Sequence, residues 1–297
     1  MHKSGFVNIL GRPNVGKSTL LNAMMGERMS IITSKPQTTR HRIIGLLSGD
    51  DYQIVFSDTP GVIYDPHYKM QKAMNSFAYS TLEDADVLLF VTDIYEKYDN
   101  DDPIFEKIRN LPIQKILLIN KLDQITPEKQ ANLEEFWGQQ DYFQDTIYIS
   151  AKEDINIKNL ILTIKNLLPE GPAYYPKDQL SDRPERFFIS EIIREKILEQ
   201  YKQEIPYSSE VVVTEFKEKE HHKGLIVHIF AEIYVSRPTQ KSIIIGKQGK
   251  AIKALGTEAR KSIEAFLEKK VFLELFVKIK ENWRNDEKWL KQFGYKN

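Results

Sequence analysis

Along the first 168 residues, apolar positions come in short dense runs separated by stretches with helical spacing. The runs are GFVNIL (5–10), YQIVFSD (52–58), DVLLFVTD (86–93), QKILLINK (114–121) and TIYIS (146–150). Each is rich in β-branched and aromatic residues, which suit a pleated, packed surface. Between them, residues 17–26, 68–82 and 156–168 repeat apolar positions every three or four residues, the period of an amphipathic helix. Strands alternating with helices predict βαβ units, and so an α/β domain whose mainly parallel sheet carries helices on both faces.

The pattern breaks at LLPEGPAYYPKDQLSDRPERF, which has prolines at 169, 172, 176 and 184. Proline at this density stops helices and stiffens a connection. It predicts a linker over 169–185 between a domain of residues 1–168 and another of 186–297. Past the linker the order changes. RFFISEIIREKILEQY (186–201) reads as a helix, and SEVVVTEFKE (209–218) and GLIVHIFAEIYV (224–235) read as strands. The polar stretch KEKEHHK (217–223) reads as the loop of their hairpin, with His221 and His222 solvated. A short helix, a glycine loop, a helix over 250–269 and a strand VFLELFVKI (271–279) complete an α+β domain of order α-β-β-α-α-β. Trp283, Trp289 and Phe293 follow, as packing for this domain or as rings for stacking bases.

Composition narrows the classes. With 41% hydrophobic and 28% charged residues the chain is of globular type, and without cysteine it has no disulfide or thiolate metal site. No apolar run reaches the ~18 residues of a membrane-spanning helix, and the start lacks a signal-peptide core, so a cytoplasmic location is expected. The net charge of zero conceals an asymmetry. Residues 241–297 hold 14 Lys and Arg against 7 Asp and Glu, which is +7 there and −7 elsewhere. Either the C-terminal part seeks a polyanion or it presents a solvated lysine face.

Chemistry concentrates first in GRPNVGKS, which lies after a strand and before a helix. It fits the phosphate loop G-x-x-x-x-G-K-[ST]. Gly11 and Gly16 let the backbone amides of Arg12, Pro13's neighbours, Asn14 and Val15 curl round phosphate oxygens at a helix N-terminus. Lys17 would reach the β- and γ-phosphates, and the Ser18 hydroxyl would ligate Mg²⁺. The base is read by NKLD: Asn120, Lys121, Leu122 and Asp123. A carboxylate at Asp123 can accept from the ring N–H and the exocyclic amine of guanine, whereas adenine would leave it unpaired. In DTPGV, Asp58 sits at a strand end to hold Mg²⁺ through water. Thr59 and Pro60 lead to Gly61, whose amide can sense a γ-phosphate beside Val62. In ISA, the backbone of Ser150 and Ala151 could contact the guanine carbonyl.

With these motifs in this order, residues 5–168 resemble a Ras-like GTPase of the translation-factor class. The segment TSKPQTTRHR should then be the switch, with Thr38 and Thr39 both able to ligate Mg²⁺. The family pattern, with the ligand just before the basic residue, favours Thr39. Val62 stands where Ras-type enzymes carry a water-orienting glutamine, so the group positioning the attacking water is not identifiable and turnover should be slow. In relatives with an apolar residue there, the asparagine matched by Asn14 can bind K⁺ in place of an arginine finger. Otherwise Asn14 is a turn residue.

The second glycine loop, SIIIGKQGKAI, lacks the G-K-[ST] ending and a base-reading motif, so it is no second nucleotide site. It joins two helices within α-β-β-α-α-β, which is the arrangement of a type II KH domain, although a plain helix connector has the same glycines. In KH domains this GXXG loop clamps single-stranded nucleic acid. Gly246 and Gly249 would allow close approach of the sugar-phosphate chain. Lys247 and Gln248 would sit at its tip, and Lys241, Lys250, Lys253 and Arg260 would neutralise phosphates nearby. Ile243, Ile244, Ile245, Ile252 and Leu255 read as core or as an apolar floor for bases.

Over residues 5–295, strings such as PQTTRHRI, SEIIREKIL, IIIGKQGKAIK and LELFVKIKENWRND resemble the Era-like subfamily of GTPases. The resemblance implies a monomeric GTP/GDP switch binding the 3′ end of 16S ribosomal RNA during 30S subunit maturation. It also implies peripheral contact with the cytoplasmic face of the inner membrane. Two other classes stay open: an RNA chaperone whose nucleotide is structural, and a membrane-linked signalling GTPase.

Overall fold

β1 (Lys3–Leu10) lies near the middle of a six-stranded sheet of order β2-β3-β1-β4-β5-β6. Its companions are β2 (Ile43–Ser48), β3 (Tyr52–Asp58), β4 (Val87–Asp93), β5 (Gln114–Asn120) and β6 (Asp145–Tyr148). Pairing is parallel throughout except between β2 and β3. All seven residues of β4 are buried, as a strand covered on both faces requires. The helices are α1 (Lys17–Met25), α2 (Lys69–Ser80), α3 (Pro103–Arg109), α4 (Pro127–Trp137) and α5 (Ile157–Leu167). This computed structural model describes residues 1–221 and 224–295. Among the described residues, no helix is long and apolar enough to cross a membrane.

The apolar pattern does not reveal β2. IIGLLS has doublets and a glycine rather than alternation, so it reads equally as a loop approach. Pairing decides it: β2 turns back on β3 at Gly49, whose N–H bonds the Tyr52 carbonyl at 2.9 Å. Ile44 and Leu46 then pack with Val55, Phe6 and Tyr175.

The C-terminal elements are α6 (Glu185–Gln200), the single turn α7 (Ile205–Ser208), β7 (Glu210–His221) and β8 (Gly224–Val235). After them come α8 (Pro238–Ile245), α9 (Lys250–Leu267), β9 (Lys270–Ile279) and α10 (Glu287–Gln292). The sheet runs β7-β8-β9, antiparallel then parallel. Ile189, Ile193 and Ile197 of α6 share one core with Ile229 and Ile233 of β8 and Leu255, Ala259 and Ile263 of α9.

The expected loop over 217–223 is corrected: Lys217 to His221 extend β7, with Glu220 opposite Leu225 and His221 opposite Gly224. Alternating charges mark an exposed strand as readily as a loop, and charge on an edge strand blocks stray pairing. His222 lies outside the described residues.

The chain divides into two compact units. The first holds Met1–Ser30, Thr39–Asp65 and Met74–Asp182, and the second holds Ile31–Thr38, Pro66–Ala73 and Arg183–Asn297. Two short segments of the N-terminal half thus belong to the second unit. In that unit the buried Arg194 of α6 donates to the Thr38 carbonyl, and Lys35 donates to the carbonyls of Leu198 and Tyr201. Lys69 pairs with Glu287 at 2.8 Å, and its backbone N–H reaches Asn285 Oδ1 at 3.1 Å.

Trp283 is fully buried, donates its indole N–H to the Ser208 carbonyl at 3.0 Å and meets Phe293 edge-on. Trp289 and Phe293 pack on Tyr234, so these rings serve packing. Trp283→Ala should therefore destabilise the second unit by about 3–5 kcal/mol while leaving GTP affinity within twofold. Urea unfolding alongside a nucleotide titration checks both.

Candidate active site and nucleic-acid interface

Three parallel strand ends meet the phosphate loop. Leaving β1, the chain turns at Gly11, and Asn14 (φ 65°) and Gly16 (φ 98°) adopt left-handed backbone before α1 begins at Lys17. Asparagine tolerates that region and glycine is free in it, which accounts for Asn14 as a turn residue. A side chain at position 16 would stand 2.2 Å from Asn120 Nδ2. Asn120, at the end of β5, explains why. Its Nδ2 donates to the Val15 carbonyl at 2.9 Å, and its Oδ1 accepts from the amides of Lys121 and Ala151 at 2.8 and 3.0 Å. One buried amide therefore ties the phosphate loop to the two base-side loops.

Lys17 is buried, with Nζ at 2.8 Å from the Arg12 carbonyl and 3.1 Å from that of Gly11. Burial lowers its pKa to about 8 against the opposing pull of Asp58 and Glu96. Asp58, wholly buried at the end of β3, is shifted the other way. Burial raises its pKa, while Lys17 and the hydroxyls of Ser18, Ser30 and Thr39 hold it down.

The Ser18 hydroxyl lies 2.7 Å from both Asp58 Oδ2 and Thr39 Oγ1, and Ser30 Oγ donates to the same Asp58 oxygen at 3.0 Å. Asp58 Oδ1 is buried and without a hydrogen-bond partner. Two hydroxyls and an unspent carboxylate oxygen are the oxygen donors that Mg²⁺ takes, usually with water between. The residues fit that ion: Ser18 and Thr39 would hold it directly, and Asp58 through water. Bound there, Mg²⁺ would neutralise charge on the phosphates. The structure also separates the two threonines, because the Thr38 hydroxyl donates to the Lys35 carbonyl at 2.6 Å. Ser30 was not singled out by any motif; only the fold brings it to Asp58.

Thr59 donates to the Ile9 carbonyl at 2.9 Å, and Gly61 lies so close that a Cβ would stand 2.6 Å from the Pro13 nitrogen. Pro60 is buried beside them, and Val62, 2% exposed, is part of the core. On the base side, Asp123 is exposed. A 2.6 Å hydrogen bond from Ser150 Oγ holds its carboxylate below the usual range, helped by Gln124. The Leu122 amide bonds the Ile149 carbonyl at 3.0 Å. Lys121, left-handed at φ 67°, pairs with Asp93, a partner the motifs do not announce. The amides of Ser150 and Ala151 bond Ile155 and Asn120, so here this strand end orients Asp123 and Asn120.

In the second unit, α8 stops at Gly246 (φ 70°), where a Cβ would stand 2.5 Å from that of Ala251. A tight turn over Lys247–Gly249 follows, with Gln248 at φ 53° and Gly249 at φ 74°. Lys247, Gln248 and Lys250 are exposed, and Lys241 is half-buried one turn earlier on α8. Lys253 and Arg260 are exposed seven residues apart on α9, on one face. At 1.5 Å per residue Arg260 stands about 15 Å along α9 from Lys250, so the structure does not bring it to the loop. Ile244 and Leu255 are core, whereas Ile243 is 51% exposed.

Phosphate favours protonated Lys17, so binding should raise its pKa. Affinity for GTP should be flat below pH 8 and fall by up to tenfold per pH unit above it. Calorimetry in buffers of different ionisation enthalpy should show proton uptake appearing over that interval. Asp123→Asn should weaken GTP by about a hundredfold or more and improve binding of xanthosine triphosphate, whose carbonyl accepts from the new amide; competition titration reads both.

Two family profiles match the chain: "50S ribosome-binding GTPase" over residues 6–121 and "KH domain" over 204–284. It is 46% identical to GTPase ERA1, chloroplastic, of Zea mays, over 99% of its own length and 71% of that protein's. It is 45% identical to GTPase Era of Lactobacillus helveticus (strain DPC 4571), over 99% and 96%. Its fold superposes on a crystal structure of Era in complex with MgGDPNP and nucleotides 1506–1542 of 16S ribosomal RNA. The TM-score is 0.93 and the identity 37%, and all of both chains is covered. At this identity over nearly its whole length, the chain belongs to the Era family of GTP-hydrolysing enzymes.

Proposed function

We propose that this protein is a slow GTP-hydrolysing switch that binds the single-stranded 3′ end of 16S ribosomal RNA and assists assembly of the small ribosomal subunit. The observation that carries the reading is the pairing of two unlike phosphate cradles on one chain. One is buried beside a guanine-reading carboxylate; the other is exposed and basic. A relative matched over its full length was solved with both kinds of ligand.

In this reading, Lys17 and the loop amides hold the β- and γ-phosphates, and the Gly61 amide registers the γ-phosphate. Asp123 selects guanine, kept in place by Ser150. Val62 has no polar group to orient water, which keeps turnover slow. Asn14 would take K⁺ as a charge-stabilising partner. Gly246 and Gly249 admit the RNA backbone, while Lys247, Lys250, Lys253 and Lys241 neutralise its phosphates. Arg260 would meet a nucleotide farther along the strand. The resemblance extends the reading to a cytoplasmic monomer with peripheral membrane contact.

One contact within the second unit favours coupling between RNA and GTP. Arg194, on the first helix of the RNA-binding half, holds the carbonyl of Thr38, the residue before Thr39. GTP turnover with and without a short RNA copy of the 16S 3′ end, in potassium and in sodium buffer, tests the reading. RNA should raise turnover, and potassium should exceed sodium. Tight RNA binding that leaves turnover unchanged would reduce the protein to two independent modules, and equal rates in both salts would remove K⁺ from Asn14. Lys247→Ala should weaken RNA binding and lower the slope of log affinity against log salt by about one.

A further inference from the structure

The side chain of Arg12 takes no part in the phosphate chemistry above, although its backbone belongs to the phosphate loop. Its guanidinium is instead among the most fully engaged groups of the first unit. Nη2 donates to Asp102 Oδ2 at 2.6 Å, and Nη1 donates to Glu96 Oε2 at 3.0 Å and to the Lys97 carbonyl at 2.8 Å. Nε donates to the Tyr64 hydroxyl at 3.2 Å, and that hydroxyl donates in turn to Asp102 Oδ1 at 2.9 Å. The guanidinium also lies 4.0 Å from the ring centroid of the buried Tyr98. Asp102 is fixed independently, because it caps α3 by accepting from the Ile104 amide at 3.0 Å.

Tyr64 ends the short segment that begins at Gly61. Each residue of that segment is pinned. Gly61 rests on Pro13, and the Val62 amide faces the Gly11 carbonyl at 3.4 Å. Asn75 brackets Ile63 through both backbone groups, at 2.9 and 2.7 Å. The Tyr64 contact runs to the guanidinium of Arg12 in the phosphate loop. Val62 offers no polar side chain, so in the proposed reading the backbone of this segment is what faces the γ-phosphate, and misplacement of about 1 Å can cost a hundredfold in rate.

We propose that Arg12 is a positioning residue for GTP hydrolysis, which fastens the segment after Gly61 to the phosphate loop through Tyr64 and Asp102. The inference rests on GTP hydrolysis at this loop. A planar fork with several donors is what the site uses, and lysine cannot reproduce it.

The test is steady-state hydrolysis at saturating GTP, with GDP affinity measured alongside, for Arg12→Lys, Tyr64→Phe and the double variant. Each single change should lower kcat by about tenfold while GDP affinity stays within threefold. The double variant should be no slower than the slower single one, because both break one clamp. Tyr64→Phe removes one oxygen from a half-exposed ring and keeps the test valid if Arg12→Lys fails to fold. An unchanged or raised kcat, a loss matched by loss of GDP affinity, or multiplicative effects would overturn the proposal. Failure of the unaltered protein to hydrolyse GTP would instead overturn the reading beneath it.

Discussion

The first unit is organised around the burial of two opposite charges. Lys17 and Asp58 sit in the interior where strands end and α1 starts, and charges without water are tolerated only when paired and hydrogen-bonded. Their neighbours follow from that requirement. Gly11 and Arg12 give carbonyls to Lys17, and Ser18 and Ser30 give hydroxyls to Asp58. The opposite shifts of the two groups, ammonium down and carboxylate up, have one cause in burial.

The second glycine loop meets the same ligand chemistry with the opposite environment. Lys247 and Lys250 at its tip are exposed. Its turn is fixed by Gly246, Gln248 and Gly249 in left-handed backbone rather than by a surrounding sheet. Exposed lysines interact weakly one by one and add up along a polyanion, which suits a strand of RNA better than a single nucleotide. The two cradles thus differ in depth more than in residue type.

Rigid elements hold both loops. Asn120 ties the phosphate loop to the base-side loops through a single side chain with three hydrogen bonds. In the second unit a continuous apolar core links α6, the sheet and α9, so the glycine turn projects from packed helices.

Much of this is legible in the order of residues alone. Strand and helix patterns gave five of six strands in the first sheet and the order of the second domain, because helices bury one regular face and covered strands form dense apolar runs. The glycine spacing, Lys17, Ser18, Asp58 and Asn120–Asp123 stand in short motifs of the kind that phosphate, Mg²⁺ and guanine sites use, and the fold brings those motifs together at neighbouring strand ends. Other features arise only when distant segments meet. β2 exists by pairing with β3, and the hairpin extends because its charged strand has a partner. Ser30 reaches Asp58, Asp93 reaches Lys121, and Arg12 meets Asp102 across ninety residues of chain. Such contacts leave no periodic trace, since a hydrogen bond between distant segments fixes a geometry without constraining the residues between them.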